Sequence, residues 1–161
     1  MAILGIALGS VIGGQMISNG RIKVVLVFNV VAIAASVSSM FVNLWLIAIS
    51  RLVHGFASGV LVTAAPKTLE ESIPAHLLGY GFGCSTNILI NAAIMCLMFL
   101  GIAMPGTDEE LATSSLWRLF YAFPIPFSAL AVLMHLVRHK GESPHFYVSI
   151  GEKSKALEGL Q

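Results

Sequence analysis

The stretch Val24–Ala65 reads VVLVFNVVAIAASVSSMFVNLWLIAISRLVHGFASGVLVTAA, and its single charged residue is Arg51. An α-helix rises 1.5 Å per residue, so about 20 apolar residues cross a hydrocarbon core of about 30 Å. A run of about twice that length cannot cross one bilayer once. The apolar pattern breaks at Val42–Asn43. The stretch therefore predicts two membrane helices, Val24–Phe41 and Leu44–Ala65, joined by a tight turn.

Outward from this pair, three more apolar stretches approach the same length: Met1–Ile17, Leu77–Met104 and Trp117–Val137. The expected fold is an all-α membrane protein of about five transmembrane helices over residues 1–137, with 138–161 beginning a cytoplasmic linker. Met1–Ile17 is short for a crossing, and it carries neither the basic start nor the small-residue cleavage site of a secretory signal. It reads as a membrane helix entered partway, with a further helix expected ahead of it. Composition agrees with a lipid solvent: 57% of residues are hydrophobic, 11% are charged and the mean hydropathy is +0.86, against about 25% charged in soluble domains.

The net charge is +1, and no basic stripe offers phosphates a surface, which excludes a nucleic-acid partner. Cys84 and Cys96 lie in an apolar run without metal-ligand spacing and are expected to be small buried hydrophobes. The carboxylates fall in loops, and Ser72 and Ser143 lie near histidines without a third orienting group. No enzyme constellation and no cofactor are expected.

The loops set an orientation. Arg21 and Lys23 fall in the first, Lys67 in the third, and Arg138, Lys140, Lys153 and Lys155 after the last helix, whereas Asp108, Glu109 and Glu110 share the fourth. By the positive-inside rule the basic side, and with it the C-terminus, is cytoplasmic. Gly5, Gly9 and Gly13, and again Gly55 and Gly59, recur every four residues, a spacing that lines one helix face and lets two backbones approach closely.

Charges inside a bilayer are costly and mark functional candidates. Arg51 lies about 10 Å below the outer surface. With Gly55 and Gly59 continuing its face, it is expected to point into the bundle toward an acidic partner on another helix or a substrate. The alternative is that it snorkels to the headgroups. His54 reads as a hydrogen-bonded structural histidine. Thr86, Asn87 and Asn91 interrupt the fourth apolar stretch. Their side chains either line a cavity for a polyhydroxylated solute or join helices by hydrogen bonds.

Several motifs lie near the helix ends. Arg51–Gly59 is R-x-x-x-G-x-x-x-G, Pro66, Glu71 and Pro74 form P-x-x-x-x-E-x-x-P ahead of Gly79, Trp117-Arg118 opens the last helix, and Gly141-Glu142-Ser143-Pro144-His145 follows it. This set resembles the sugar-porter branch of the major facilitator superfamily, over nearly the whole chain. The resemblance implies helices two to six of an N-terminal helix bundle. It also implies cytoplasmic gating charges at Arg21, Glu71 and Glu142, a coupling charge at Arg51, and solute contacts at Thr86, Asn87 and Asn91.

The chain departs from the pattern where Leu78 and His145 replace arginines, where Thr86 replaces a sugar-binding glutamine, and in Gly13–Arg21, which lacks the family's acidic residue and the first of its arginines. The expected function is movement of a small polar, sugar-like solute, with or without a proton, by alternating access. The expected partners are the lipid bilayer and the remaining transporter half or neighbouring helices. The competing expectation is a truncated, non-transporting remnant acting as a structural or accessory membrane subunit.

Overall fold

In lipid, backbone N–H and C=O groups find no water, so each apolar stretch satisfies them internally by coiling into a helix. The structure, a computed structural model, describes residues 1–73, 83–102, 104–106, 114–138, 147–148 and 151. The described helices are α1 (Ala2–Met16), α2 (Arg21–Ser38), α3 (Leu44–Ser72), α4 (Gly83–Ile102), α5 (Trp117–Ala122) and α6 (Pro124–Arg138), with a 3-10 turn at Ile17–Asn19 after α1. No strand occurs among the described residues. The described residues form an all-α bundle of apolar helices, as expected.

The connections follow from local chemistry. Gly20 turns the chain from α1 into α2 with φ of 133°, a backbone region that glycine enters without steric cost. The break between α2 and α3 lies at Ser39–Asn43. There the Asn43 side chain accepts hydrogen bonds from Trp45 N at 3.1 Å and Leu46 N at 3.4 Å, capping α3.

Two helices differ from expectation. α3 continues through Pro66 to Ser72 instead of ending near Ala65, which places Lys67 on the helix rather than in a loop. A proline removes one intrahelical donor, but the following turn persists, with Thr68 Oγ1 donating to the Ala64 carbonyl at 2.8 Å. The helix stops at Ile73, whose extended backbone (φ −102°, ψ 133°) suits the residue before a proline. At 1.5 Å per residue α3 is about 44 Å long and overhangs a core of about 30 Å. The last apolar stretch is interrupted at Phe123, where Pro124 and Pro126 open α6.

α3 is the organising element. α1 and α2 both pack on it, while α5 and α6 pack on α2. What is buried there is small. Ala57, Val60 and Ala64 are fully buried and Ala32 and Ala35 nearly so, with Phe28 and Phe56 in ring contact at 5.9 Å. The large side chains face outward, as Leu89 at 70% and Ile102 at 79% exposure show. Lipid tails are as apolar as leucine, so helix association rests on close backbone packing rather than on burying large side chains.

The glycines supply that packing in the predicted register. A Cβ on Gly5 would lie 2.8 Å from Phe56 N, one on Gly9 3.0 Å from the Phe56 carbonyl carbon, and one on Gly13 3.0 Å from Val60 Cα. In return, a Cβ on Gly55 would meet Ala2, and one on Gly59 would lie 2.9 Å from Ser10 N. α1 and α3 therefore touch backbone to backbone along their contact. Polar side chains within the helices bond back to their own turns, as with Asn29 Nδ2 to the Val25 carbonyl at 2.8 Å and Ser38 Oγ to the Ala34 carbonyl at 2.8 Å. This removes their demand for water.

Gly14 faces open space and provides the control. Gly59→Val is expected to destabilise the chain by about 1–3 kcal/mol through overpacking, and Gly14→Ala to stay within about 0.5 kcal/mol. Denaturant titration of helicity in mixed micelles checks this, and equal stability of the two variants would contradict the close approach.

Candidate functional site

α3 acts as a ruler across the bundle. Arg51 and Glu71 lie on this one helix, twenty residues apart in the sequence, which sets them about 30 Å apart along its axis. Each marks a different end, and each has its own kind of partner.

At one end, Arg21 opens α2 and Glu71 lies in the last turn of α3. The antiparallel course of the two helices brings these ends together, and Arg21 Nη1 forms an ion pair with Glu71 Oε2. Both side chains are only 12% exposed, so the pair is shielded and far from the regime of solvated surface pairs. Arg21 Nε is buried and has no hydrogen-bond partner among the described residues. Glu142, the third charge expected here, lies outside the described residues, as do Leu78 and His145.

At the other end, Arg51 is half-buried, and its guanidinium carbon sits 4.0 Å from the centroid of the Tyr121 ring. Gly55 faces Ala2, so Arg51, one turn nearer the start of α3, lies beyond the start of α1. The glycine face serves α1, while Arg51 reaches α5. The expected acidic partner was one outside these helices, on a further helix or a substrate. Within the described residues the neighbour of Arg51 is an aromatic face. His54, one turn further along α3, has its Nδ1 3.2 Å from Ser36 Oγ and 3.4 Å from the Ala32 carbonyl. It links α3 to α2.

α4 carries the remaining candidates. Asn87 and Asn91 are both exposed, and Asn91 Nδ2 donates to the Asn87 carbonyl at 2.8 Å, a bond within the helix. Thr86 precedes them on α4, and its side chain lies outside the described residues. Cys84 and Cys96, expected to be buried, are exposed free thiols. The reason is that α4 lacks the extensive contact with other described helices that α1, α2 and α3 share. Among the described residues no cluster of His, Cys, Asp or Glu could hold a metal ion.

The family model described as sugar (and other) transporter matches residues 1–161. The chain belongs to this family. Similar proteins include hexose transporter 1 of Plasmodium knowlesi, 24% identical over 165 residues that cover 98% of this chain and 33% of that protein. The major myo-inositol transporter IolT of Bacillus subtilis is 29% identical over 161 residues, covering 99% of this chain and 33% of the relative. The glucose transport protein of Synechocystis is 27% identical over 164 residues, covering 97% and 34%. The chain thus spans about a third of the length of the curated relatives it matches.

As a member of the sugar-transporter family, the chain is a multi-pass membrane protein. Arg21–Ser38, Leu44–Glu71 and Trp117–Val137 are long and apolar enough to cross a membrane, and Ala2–Met16 and Asn87–Ile102 are shorter apolar helices. Tyr121 is the residue that sequence reasoning missed. Its available signal was the spacing of Trp117 and Tyr121 at i and i+4, which puts two rings on one helix face.

A charge swap tests the Arg21–Glu71 pair. Glu71→Arg alone is expected to cost up to about 3 kcal/mol of stability, because it leaves like charges facing each other in a shielded site. The Arg21→Glu, Glu71→Arg double variant is expected to recover most of the loss. Strictly additive effects in a double-mutant cycle would show that the two side chains do not interact.

Proposed function

We propose that this chain is part of a transporter that moves a small polar, sugar-like solute by alternating access, the solute binding near mid-membrane between this bundle and further helices. The observation that carries the reading is the shielded Arg21–Glu71 ion pair, which ties the start of α2 to the end of α3. A pair that holds two helix ends together while one face of the protein is closed must part when that face opens. Its modest net energy suits such a switch. Arg21 Nε, which has no hydrogen-bond partner among the described residues, leaves a donor for a second carboxylate, and Glu142 is assigned a gating role as well. The Arg21–Glu71 end is assigned to the cytoplasm on the asymmetry of basic residues.

Asn87 and Asn91, with Thr86, are assigned to the solute. Exposed carboxamides on an apolar helix need polar company inside a membrane, and a polyhydroxylated molecule supplies both donors and acceptors. Arg51 is assigned a coupling role. Its aromatic neighbour leaves the guanidinium free to take a carboxylate from a further helix, and protonation of that carboxylate releases it again. The relatives named hexose, glucose and myo-inositol transporter support a sugar or polyol as the solute.

Uptake of radiolabelled hexoses and inositols into proteoliposomes carrying the full-length protein tests this reading. Arg51→Leu is expected to abolish uphill uptake while sparing exchange, and Arg51→Lys to rescue poorly, since lysine lacks the planar fork. Asn87→Ala is expected to raise KM by about tenfold, the equivalent of one lost hydrogen bond. Normal uphill uptake by Arg51→Leu would remove the coupling role.

A further inference from the structure

A charged guanidinium in the membrane-spanning part of a helix needs compensation. For Arg51 it comes from the face of Tyr121 at 4.0 Å, well inside the range of about 6 Å over which a ring quadrupole attracts a cation. The ring is itself held in place. Trp117, one turn earlier on α5, meets Tyr121 edge-on at 5.6 Å with the ring planes at 80°. Arg118 covers Trp117 at 5.3 Å. The four side chains form a ladder of cation, ring, ring and cation.

The ladder reaches between elements that are otherwise loosely joined. α5 is six residues long and ends at Phe123, ahead of Pro124. Its main helix contacts run to α2 and α6, and the Arg51–Tyr121 contact joins it to α3. A ring is a weaker partner than a carboxylate, because charge-assisted hydrogen bonds exceed cation–π contacts. A guanidinium resting on a ring transfers readily to an acid that comes within reach, whereas one already paired with an acid would be trapped.

We propose that Tyr121 is a positioning residue for Arg51, holding the guanidinium in an unengaged position from which it passes to a carboxylate, so that the strength of the ring contact sets the coupling of transport. The proposal rests on the transport reading above. The ring face matters in it and the hydroxyl does not.

The test uses the full-length protein with Tyr121 replaced by phenylalanine and by its mono-, di- and trifluorinated forms, which drain the ring face of electron density with little change of shape. Uphill hexose uptake and hexose exchange are measured in proteoliposomes, and the Arg51 side-chain Nε–H resonance is recorded in bilayers. Tyr121→Phe is expected to stay within about twofold of the parent, and the trifluoro ring to lower uphill uptake on the order of tenfold with exchange intact. The Arg51 resonance is expected to carry a ring-current shift that disappears in Tyr121→Leu. A flat fluorination series, a parallel fall of uptake and exchange, or an unshifted Arg51 resonance would each overturn the proposal. Arg51→Leu separates the two layers. If it abolishes coupling while the series is flat, only the role of Tyr121 fails; if it transports normally, the coupling role of Arg51 fails, and the resonance still decides the contact.

Discussion

The contact between α1 and α3 is the constraint on which the rest of the bundle depends. Five glycines on two helices interleave so that the backbones meet directly at Gly5, Gly9, Gly55 and Gly59, with the Thr63 side chain and the Val60 backbone against Gly13. In a solvent as apolar as the side chains themselves, such an approach is how helices gain from touching, through dispersion and short polar contacts. It fixes the position of α3. Through Ala57, Val60 and Ala64 on α3 and Val24, Val25 and Phe28 on α2, it fixes α2 as well. The position of α6 follows from that of α2.

Once α3 is held, its length does the rest. One helix carries an acid near one end and an arginine near the other, separated along its axis by about the thickness of a hydrocarbon core. The Glu71 end is tied by charge to α2, and the Arg51 end is tied by an aromatic face to α5. These ties differ in kind. The ion pair is shielded and sensitive to the loss of either partner, whereas the ring contact is easily exchanged for a stronger one.

The turn at Val42–Asn43 and the glycine stripes were legible in the sequence, because each rests on spacing within one or two helices. Arg21 and Glu71 were singled out only by the family resemblance, and their pairing with each other is a finding of the structure. The length of α3 was not. Pro66 reads as a stop signal, yet the turn beyond it is retained and the helix ends only at the residue before Pro74. The interruption at Phe123 was concealed by an apolar run that continues through two prolines. Tyr121 could not be assigned to Arg51, since their contact joins residues far apart in the chain whose side chains carry no complementary charge. The cysteines of α4 were placed in a core because apolar neighbours in sequence resemble a core, although α4 turns those neighbours outward.

Backbone contact between α1 and α3 can be observed without altering either helix. Solid-state NMR of the isotopically labelled chain in lipid bilayers reports through-space transfer between glycine Cα and carbonyl carbons that lie close together. The account predicts cross-peaks from Gly9 Cα to the Phe56 carbonyl carbon and from Gly59 Cα to the Ile6 carbonyl carbon, since a side-chain carbon built one bond from either Cα would stand 3.0 Å from that atom. A spectrum in which both glycines show transfer only within their own helices would contradict it, and with it the placement of α3 on which both ends of the site depend.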